Sequence, residues 1–410
     1  MIRQTVARID LAALKSNYQH IVDYLETGAE VVSSNAGKHD SRPRTGVIAV
    51  VKANAYGHGA GQVALALEAA GADLLACADI EEGAALRAAG VRADILVFGA
   101  LSVSDLDGVF DCRLTPTIST PGAAHAVQAA AEKYQQRVRY HLKIDTGMNR
   151  LGFRFDNLRR TLPGLFASHN LDLEAVYTHF ATADDPESPL FNEQRVRFEA
   201  ARETIAELNG VARIDRSDRR DRRENTRDSS SADSAFKPPY LHAANSAALL
   251  RDSRAWYDRV RPGLLLYGIV PPPLASTLAL TPIMTLSSRI VAVKGVRAGE
   301  GVGYGVRFSA EQPATIAIVP AGYADGLDLR LAGRGSVLIR GRRAPIVGAV
   351  NMDMLMADVT GLDVSPGDEV VIIGAQGGDR IDVREMAAQI GTIPYEILCR
   401  IGSRIERVYT

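Results

Sequence analysis

Residues 47–59 read VIAVVKANAYGHG, and this stretch predicts both the class of fold and the place of a reactive group. Its first part, Val47–Val51, is short and β-branched, as is typical of a parallel strand buried on both faces. Lys52 follows at the carboxyl end of that strand, the edge where parallel sheets and barrels bind ligands. A lysine that is partly stripped of water there can attack an aldehyde and form a Schiff base. Taken alone, an ordinary solvated lysine is the simpler interpretation.

Similar apolar runs recur from residue 46 to about 268, and helical patterns separate them. Eight strands with crossover helices predict a closed (β/α)8 TIM-like barrel, although an open doubly wound sheet gives a similar local pattern. The predicted strands are Val47–Val51, Leu74–Ala78, Ile95–Phe98, Leu114–Ile118, Val138–Ile144, Leu173–Thr178, Tyr240–Ala243 and Arg259–Arg261. The helices between them include Ala60–Ala70, Glu81–Ala89, Ser104–Val109, Gly122–Lys133, Glu193–Leu208 and Ser246–Arg251.

After about residue 280 the sequence changes to β-rich runs divided by Gly, Pro and Asp turns, from Ile283–Val293 to Glu369–Ile373. This pattern predicts a mainly antiparallel β domain. We therefore divide the α/β chain into a barrel domain, 1–280, and a C-terminal domain, 281–410. Two polar stretches, at about 27–45 and 213–237, are interpreted as loop insertions. The second is rich in Arg, but acids interleave with the arginines, so a solvated loop is favoured over a nucleic-acid site.

Composition excludes several classes of protein. With 46% hydrophobic and 23% charged residues, the chain is typical of soluble globular proteins and unsuited to membranes. A formal net charge of −1 provides no general attraction to nucleic acid or anionic lipid. The N-terminus lacks the pattern of an export signal, so we expect a cytoplasmic protein. Cys77, Cys112 and Cys399 are too few and too scattered for a disulfide framework or a zinc site, and we expect no metal.

Polar side chains follow several of the predicted strands. They are Lys143 and Arg150, His179, Asn245 and Ser246, and Arg261. Each has a structural explanation by itself, as a surface charge, a core histidine or a helix cap. Together they share one rim with Lys52.

The rim also offers an anion site. Ser246 at a helix start and the backbone N–H groups near Gly263 and Leu264 are the donors that a bound phosphate needs, and Tyr56 adds a phenolic hydroxyl. A lysine that reacts with aldehydes, placed beside an anion site, suggests pyridoxal phosphate.

Nine segments resemble the alanine racemases, in the expected order and across both predicted domains. They are AVVKANAYGHG (49–59), KIDTGMNRLGF (143–153), YTHFATAD (177–184), HAANSAA (242–248), VRPGLLLYG (260–268), GVGYG (301–305), AGYADG (321–326), NMDM (351–354) and IPYE (393–396). The resemblance implies a fold-type III pyridoxal-phosphate enzyme. It further implies a head-to-tail homodimer that shares its active sites and makes D-alanine for peptidoglycan.

The resemblance also implies roles for individual residues. Lys52 would bind the cofactor and act as one catalytic base, and Tyr304 of the other subunit would be the second base. The cofactor would be held by Tyr56, Arg150, His179, Asn245, Ser246, Arg261, Gly263, Leu264 and Tyr395, with Arg261 facing the pyridine nitrogen and His179 bridging Arg261 and Tyr304. The substrate site would include Arg150, Tyr304, Tyr323, Met352 and Asp353. Lys143 would be carbamylated and would give Arg150 an anionic neighbour.

Racemisation explains why two bases are needed. A proton leaves one face of the substrate carbon and another returns to the opposite face, which a base on one side cannot do efficiently. Lysine and tyrosine have reference pKa values of about 10, so both must be tuned downward to act near neutral pH.

Three alternatives stay open. The first is a serine or broad-spectrum racemase, since Asn351 stands where the family commonly has a small residue or cysteine. The second is a decarboxylase on the same barrel, which the GVGYG motif disfavours. The third is a non-catalytic pyridoxal-phosphate carrier; proteins of that type resemble the barrel alone, so the β domain disfavours it.

Overall fold

The protein, analysed as a computed structural model, is described at residues 5–35, 44–101, 106–221 and 239–410. Within these residues eight parallel strands form a closed barrel with helices around it. Each strand pairs with its neighbour in the chain, and the last pairs with the first through Val260 and Val47. The strands are Gly46–Val50, Leu74–Cys77, Asp94–Val97, Thr115–Ile118, Val138–Asp145, Leu171–Tyr177, Tyr240–Asn245 and Arg259–Arg261. Closure confirms the barrel, and the open doubly wound sheet is wrong.

Some of the barrel helices begin after a side chain that accepts from a free N–H group of the first turn. Asp79 caps one helix by accepting from Glu82 N, and Thr120 caps another with Pro121 at its first position. The helices are Leu11–Asn35, Lys52–Tyr56, Ala60–Ala69, Ile80–Ala88, Asp107–Asp111, Pro121–Lys133, Leu158–Thr161, Pro163–Ala167, Leu190–Asp221 and Ser246–Arg251. The helix predicted at Ser104–Val109 begins outside the described residues.

Two long helices correct the predicted loop insertions. Leu11–Asn35 continues through the first part of segment 27–45, and Leu190–Asp221 continues through the first part of segment 213–237. Extending an existing helix adds one hydrogen bond per ordered residue without a new nucleus, so polar sequence can continue it. The remaining parts of both segments, 36–43 and 222–238, lie outside the described residues.

The second domain is built on a mainly antiparallel sheet. Its strands are Met284–Arg289, Ala292–Val296, Ala314–Val319, Ser336–Ile339, Arg342–Val347, Leu355–Asp358, Glu369–Gln376, Asp379–Ile381 and Glu406–Tyr409. A separate pair, Gly301–Val302 and Phe308–Ser309, carries the 3-10 turn Tyr304–Val306. Helices Val383–Ile390 and Pro394–Cys399 pack beside the sheet, and short 3-10 turns span Ser253–Ala255, Tyr323–Asp325 and Leu329–Leu331.

The first strand of the chain lies in this second sheet. Val6–Ile9 pairs antiparallel with Met284–Arg289 and parallel with Glu406–Tyr409. The predicted barrel domain, 1–280, includes this strand, but among the described residues it pairs only with strands of the second sheet. Four residues are too short a pattern to reveal a partner almost 280 positions away. Among the described helices, none is both long and apolar enough to cross a bilayer.

Candidate active site

Lys52 lies just beyond the first barrel strand, at the start of a left-handed turn. The four residues Ala53 to Tyr56 have φ angles between 51° and 54°, and none of them is glycine. Left-handed geometry costs about 1–2 kcal/mol for each such residue, so the turn stores strain on the order of 5 kcal/mol. Gly57 follows at φ 81°, where an added Cβ would collide with the Leu398 carbonyl. Strain of this size at one loop indicates a functional position.

Lys52 has both cationic and acidic neighbours, and the net effect of its surroundings is to lower the pKa of its amine. Burial lowers the pKa of Lys52, and the Arg150 guanidinium lowers it further, while Glu82 opposes them. Lys143 is buried, and its ammonium lies 5.6 Å from the centre of the Tyr177 ring. Burial and then Arg150 lower the pKa of Lys143 to about 8. The rim therefore holds two amines with an increased uncharged, nucleophilic fraction.

Arg261 is a buried guanidinium, only 3% exposed, whose hydrogen bonds go to neutral groups. It donates to His242 Nδ1 at 2.7 Å, to His179 Nδ1 at 3.2 Å and to two backbone carbonyls at 2.8 Å. Desolvation lowers the pKa of Arg261 to about 10, so the group stays charged at neutral pH. Its carbon lies 5.2 Å from the centre of the Tyr177 ring, which partly compensates the charge.

Behind Arg261 runs a chain of polar side chains through the barrel interior. Because Arg261 can only donate, His242 Nδ1 accepts, and its Nε2 carries the proton given to His141 Nδ1 at 3.0 Å. His141 Nε2 then faces the Tyr240 hydroxyl at 2.9 Å and Glu174 at 3.5 Å. Burial lowers the pKa of both histidines and so favours their neutral forms, and the hydrogen bond from Arg261 selects these tautomers. This series of hydrogen-bonded side chains therefore holds the Arg261 guanidinium in place beneath the rim.

Residues of the predicted anion site lie close to one another. Gly263 N donates to Ser246 Oγ at 2.9 Å, and Asn245 caps the helix that begins at Ser246. Leu264 is fully buried, and its N–H donates to none of the described residues. The Tyr56 hydroxyl approaches Gly263 so closely that a Cβ there would lie 2.5 Å from it. A buried N–H without a partner is rare in proteins and indicates a ligand acceptor.

One residue of the β domain reaches this site within the same chain. Tyr395 lies in helix Pro394–Cys399, and its ring centre is 5.6 Å from that of Tyr56. Tyr267 also packs against Tyr56, with ring centres 5.0 Å apart. Tyr56 therefore contacts one aromatic ring from each domain.

The other predicted β-domain residues are exposed and are not joined to the lysine rim. Tyr304 is 77% exposed, Met352 is 53% and Tyr323 is 43%. Within the described chain, no hydrogen bond or ring contact links these three to Lys52, Arg150 or Arg261. The loops that carry them adjoin, since Tyr323 N donates to Asn351 O and Ala324 N to Met352 O. Asp353 in the same loop pairs with Arg404 at 2.5 Å.

Several residues that the sequence analysis missed support the site. His141 and His242 align Arg261, and Tyr267 packs against Tyr56. Glu82 and Arg407 hydrogen-bond to the left-handed turn after Lys52, residues 53–57, which we call the lysine loop. His141 and His242 stand within quoted strands and motifs, and the strand Leu171–Tyr177 lies between theirs, so two buried histidines on nearby strands were a usable signal. Glu82 and Arg407 carry no local signal.

A closed parallel barrel whose carboxyl rim gathers lysines, a buried arginine and an anion site, joined to an antiparallel β domain, defines a two-domain barrel enzyme. Family models agree over nearly the whole chain. The model for the alanine racemase N-terminal domain matches residues 9–217 and 211–271, and that for the alanine racemase C-terminal domain matches residues 283–409.

Individual relatives agree as well. The alanine racemase of Symbiobacterium thermophilum is 38% identical over 410 residues, covering 100% of this chain and 97% of its own. That of Carboxydothermus hydrogenoformans is 40% identical over 366 residues, covering 88% and 91%. The crystal structure of alanine racemase from Bacillus anthracis with bound L-Ala-P superposes with a TM-score of 0.83 at 32% identity, covering 100% of this chain and 96% of that one. The alanine racemase from Streptomyces lavendulae gives 0.84 at 31% identity, covering 100% and 98%.

The chain belongs to the alanine racemase family and is an isomerase.

Proposed function

We propose that this protein interconverts L-alanine and D-alanine with pyridoxal 5′-phosphate bound to Lys52, in a homodimer that shares its active sites. D-alanine for peptidoglycan is the proposed product, and the cytoplasm is the proposed compartment, in keeping with three free cysteines. One observation supports the proposal above all. A partly desolvated lysine, a buried guanidinium without a carboxylate partner among its hydrogen bonds, and an unpaired buried N–H occur at one barrel rim.

These groups fit pyridoxal phosphate in chemistry and number. Tyr56, Ser246, Gly263, Leu264 and Tyr395 would hold the phosphate, and the unpaired Leu264 N–H is the strongest support for this. Arg261 would face the pyridine nitrogen, and Arg150 the phenolic oxygen. When bound, the cofactor withdraws electrons from the substrate carbon and so acidifies its α-hydrogen.

Lys52 suits this reaction because its environment disfavours the ammonium form. Burial and the neighbouring Arg150 both lower its pKa, so a larger fraction of the amine is free to accept a proton than in a surface lysine. The proposed second base, Tyr304, projects from the β domain with 77% of its surface exposed. Exposed large apolar side chains such as Tyr304, Tyr323, Met352 and Met354 are typical of a surface that a partner subunit covers. We infer that Tyr304 of the partner subunit completes the site from the other face.

Arg261 sets the electronic character of the site. A guanidinium with a pKa of about 10 would donate a hydrogen bond to the pyridine nitrogen of a bound cofactor and keep its own proton at neutral pH. Arg261 would therefore not protonate that nitrogen, and the bound cofactor would withdraw electrons from the substrate less strongly. The polar chain through His242 holds the guanidinium in this orientation. We infer that this arrangement suppresses transamination.

Lys143 is proposed to carry a carbamate. Its pKa of about 8 leaves a sizeable uncharged fraction near neutral pH, and only the uncharged amine adds to CO2. The product is an anion beside Arg150, Arg261 and Lys52, three cations that otherwise repel one another. The carbamate would therefore orient Arg150 toward the cofactor.

Mixing two inactive variants tests the shared site. Lys52→Ala and Tyr304→Phe each damage one base of every site in their own homodimers. If subunits exchange freely, half of the dimers are mixed, and each mixed dimer regains one intact site, so about a quarter of the sites become active. L-alanine racemisation is measured by polarimetry before and after mixing. Activity that stays at the level of the separate variants would exclude a site shared between subunits.

Two further measurements separate the alternatives. A carrier would show the cofactor absorbance, lost in Lys52→Ala, yet leave L-alanine optically unchanged. Comparing L-alanine with L-serine in steady state decides between an alanine and a broader racemase.

A further inference from the structure

The left-handed turn after Lys52 requires support from outside itself. Its internal hydrogen bonds, such as Ala55 N to Val51 O and Gly57 N to Ala53 O, resemble those of an ordinary helical turn. An ordinary right-handed turn would make equivalent bonds without the steric cost of left-handed geometry. Internal bonding therefore does not select the observed geometry, and neighbouring groups must select it.

Glu82 holds the front of the turn from the adjoining βα unit. Its Oε1 accepts the Ala53 N–H at 2.6 Å, one residue after Lys52. Its Oε2 accepts the Ala78 N–H at 2.8 Å, one residue after the second barrel strand. Glu82 N in turn donates to Asp79 Oδ1 at 2.8 Å, which anchors the residue at its helix start. One carboxylate thus joins the carboxyl ends of two adjacent barrel strands.

Arg407 holds the back of the same turn from the β domain. Its Nε and Nη2 donate to Gly57 O at 3.1 and 3.0 Å, and its other N–H groups bind carbonyls of residues 401–405. The turn is therefore fixed between a barrel carboxylate and a β-domain guanidinium. Ala53, the residue that Glu82 holds, directly follows Lys52 in the sequence. A movement of this end of the turn would therefore shift Lys52.

Both oxygens of Glu82 accept a backbone N–H, which requires a carboxylate at this position. A glutamine has one acceptor oxygen, and its amide nitrogen would face a backbone donor. The Glu82 charge also acts on Lys52, because it favours the ammonium form and opposes the effects of burial and Arg150.

We propose that Glu82 is a positioning residue whose carboxylate keeps the lysine loop left-handed and thereby fixes the point from which Lys52 reaches the cofactor. This inference rests on the proposed role of Lys52 as the cofactor lysine. Glu82 need not contact the cofactor or the substrate.

Glu82→Gln tests the proposal, with Glu81→Gln as the matched control. Glu81 is exposed and lies on the same helix, and its side chain hydrogen-bonds to none of the described residues, so the control removes the same charge one position away. Hydrogen exchange of segment 53–60 in the cofactor-free protein is measured first. We expect exchange at least about fivefold faster in Glu82→Gln and unchanged in Glu81→Gln.

Two further readouts distinguish positioning from a general loss of stability. We expect the dissociation constant for pyridoxal phosphate to rise about tenfold in Glu82→Gln. The pH dependence of Lys52 acylation in the cofactor-free protein, followed by mass spectrometry, should move to lower pH, because the pKa of the amine falls when its acidic neighbour is lost. Glu82→Asp keeps the charge but is one methylene shorter, so it should loosen the loop while moving the acylation profile less.

The outcomes are separable from failure of the proposed function. If wild-type protein binds no pyridoxal phosphate, the proposed function fails, yet the exchange and acylation measurements still decide whether Glu82 holds the turn. If wild-type protein binds the cofactor and both Glu82 variants match Glu81→Gln in all three measurements, the positioning role is wrong. If Glu82→Gln does not fold, Glu82→Asp provides the same decision.

Discussion

Replacing Gly263 with alanine should weaken cofactor binding by displacing the Tyr56 hydroxyl. The new Cβ would lie 2.5 Å from that oxygen and 3.0 Å from the ring carbon bearing it. Ordinary contact begins at 3.4 Å, so the hydroxyl must retreat by about 0.9 Å. Tyr267 and Tyr395 both pack against the ring, with centres at 5.0 and 5.6 Å, and Tyr56 is buried, which leaves little room for the retreat.

The size of the effect follows from the lost hydrogen bond. A donor that moves by about 0.9 Å from a phosphate oxygen leaves hydrogen-bonding range. A hydrogen bond to a charged group contributes about 1.5–3 kcal/mol, so the dissociation constant for pyridoxal phosphate should rise about 10- to 100-fold. Crowding of the buried ring should also lower the free energy of unfolding by about 1–3 kcal/mol.

Fluorescence titration of the cofactor-free protein measures the affinity, and urea denaturation measures the stability. Gly164→Ala is the control, because a Cβ there meets no atom within 4 Å and the helix Pro163–Ala167 should gain up to about 1 kcal/mol. If Gly263→Ala acts through the hydroxyl, its loss of affinity should nearly vanish in a Tyr56→Phe background. Fully additive losses in the double variant would refute the reasoning.

Three other predictions follow from the buried titratable groups. His58 is buried with its pKa lowered to about 4, so the free energy of unfolding should fall by roughly 3 kcal/mol as the pH drops from about 6.5 to 4; urea midpoints across this range should be flatter in His58→Asn. Lys143, with its pKa lowered to about 8, should gain stability for the fold as the pH rises from about 8 to 10.5, and 13C-bicarbonate should give a carbamate signal that Lys143→Met removes. Arg261→Lys keeps the charge but leaves two buried carbonyls unpaired, so denaturation of the cofactor-free protein should show a loss of about 2–4 kcal/mol; an unchanged midpoint would contradict the importance of the guanidinium fork.

The barrel was predictable because each of its strands has a recognisable local sequence pattern. Runs such as Val47–Val51 are short and β-branched, and their regular alternation with helices leaves few possible arrangements. The rim was predictable for the same reason, since the carboxyl ends of parallel strands meet at one edge. Knowing that Lys52 and Arg261 follow strands was therefore enough to place both at that edge.

What supports the rim was not predictable, because it depends on long-range contacts. Arg407 reaches Gly57 across 350 positions, and nothing near either residue indicates the contact. Glu82 looks like any acid in the first turn of a helix, where such residues are common. The left-handed turn itself is hidden, because alanine and asparagine at 53–55 are compatible with right-handed geometry by sequence alone.

The strand Val6–Ile9 belongs to the sheet of the β domain, although the other strands of that sheet come from residues after 280. It lies between Met284–Arg289 and Glu406–Tyr409, and the latter has no other strand partner among the described residues. During synthesis the parallel partner of Val6–Ile9 is made some 400 residues later, so this sheet cannot be completed while the barrel is being made. Severing the polypeptide near residue 280 would yield two fragments that each hold an incomplete piece of one sheet, so neither half is a freely transplantable module.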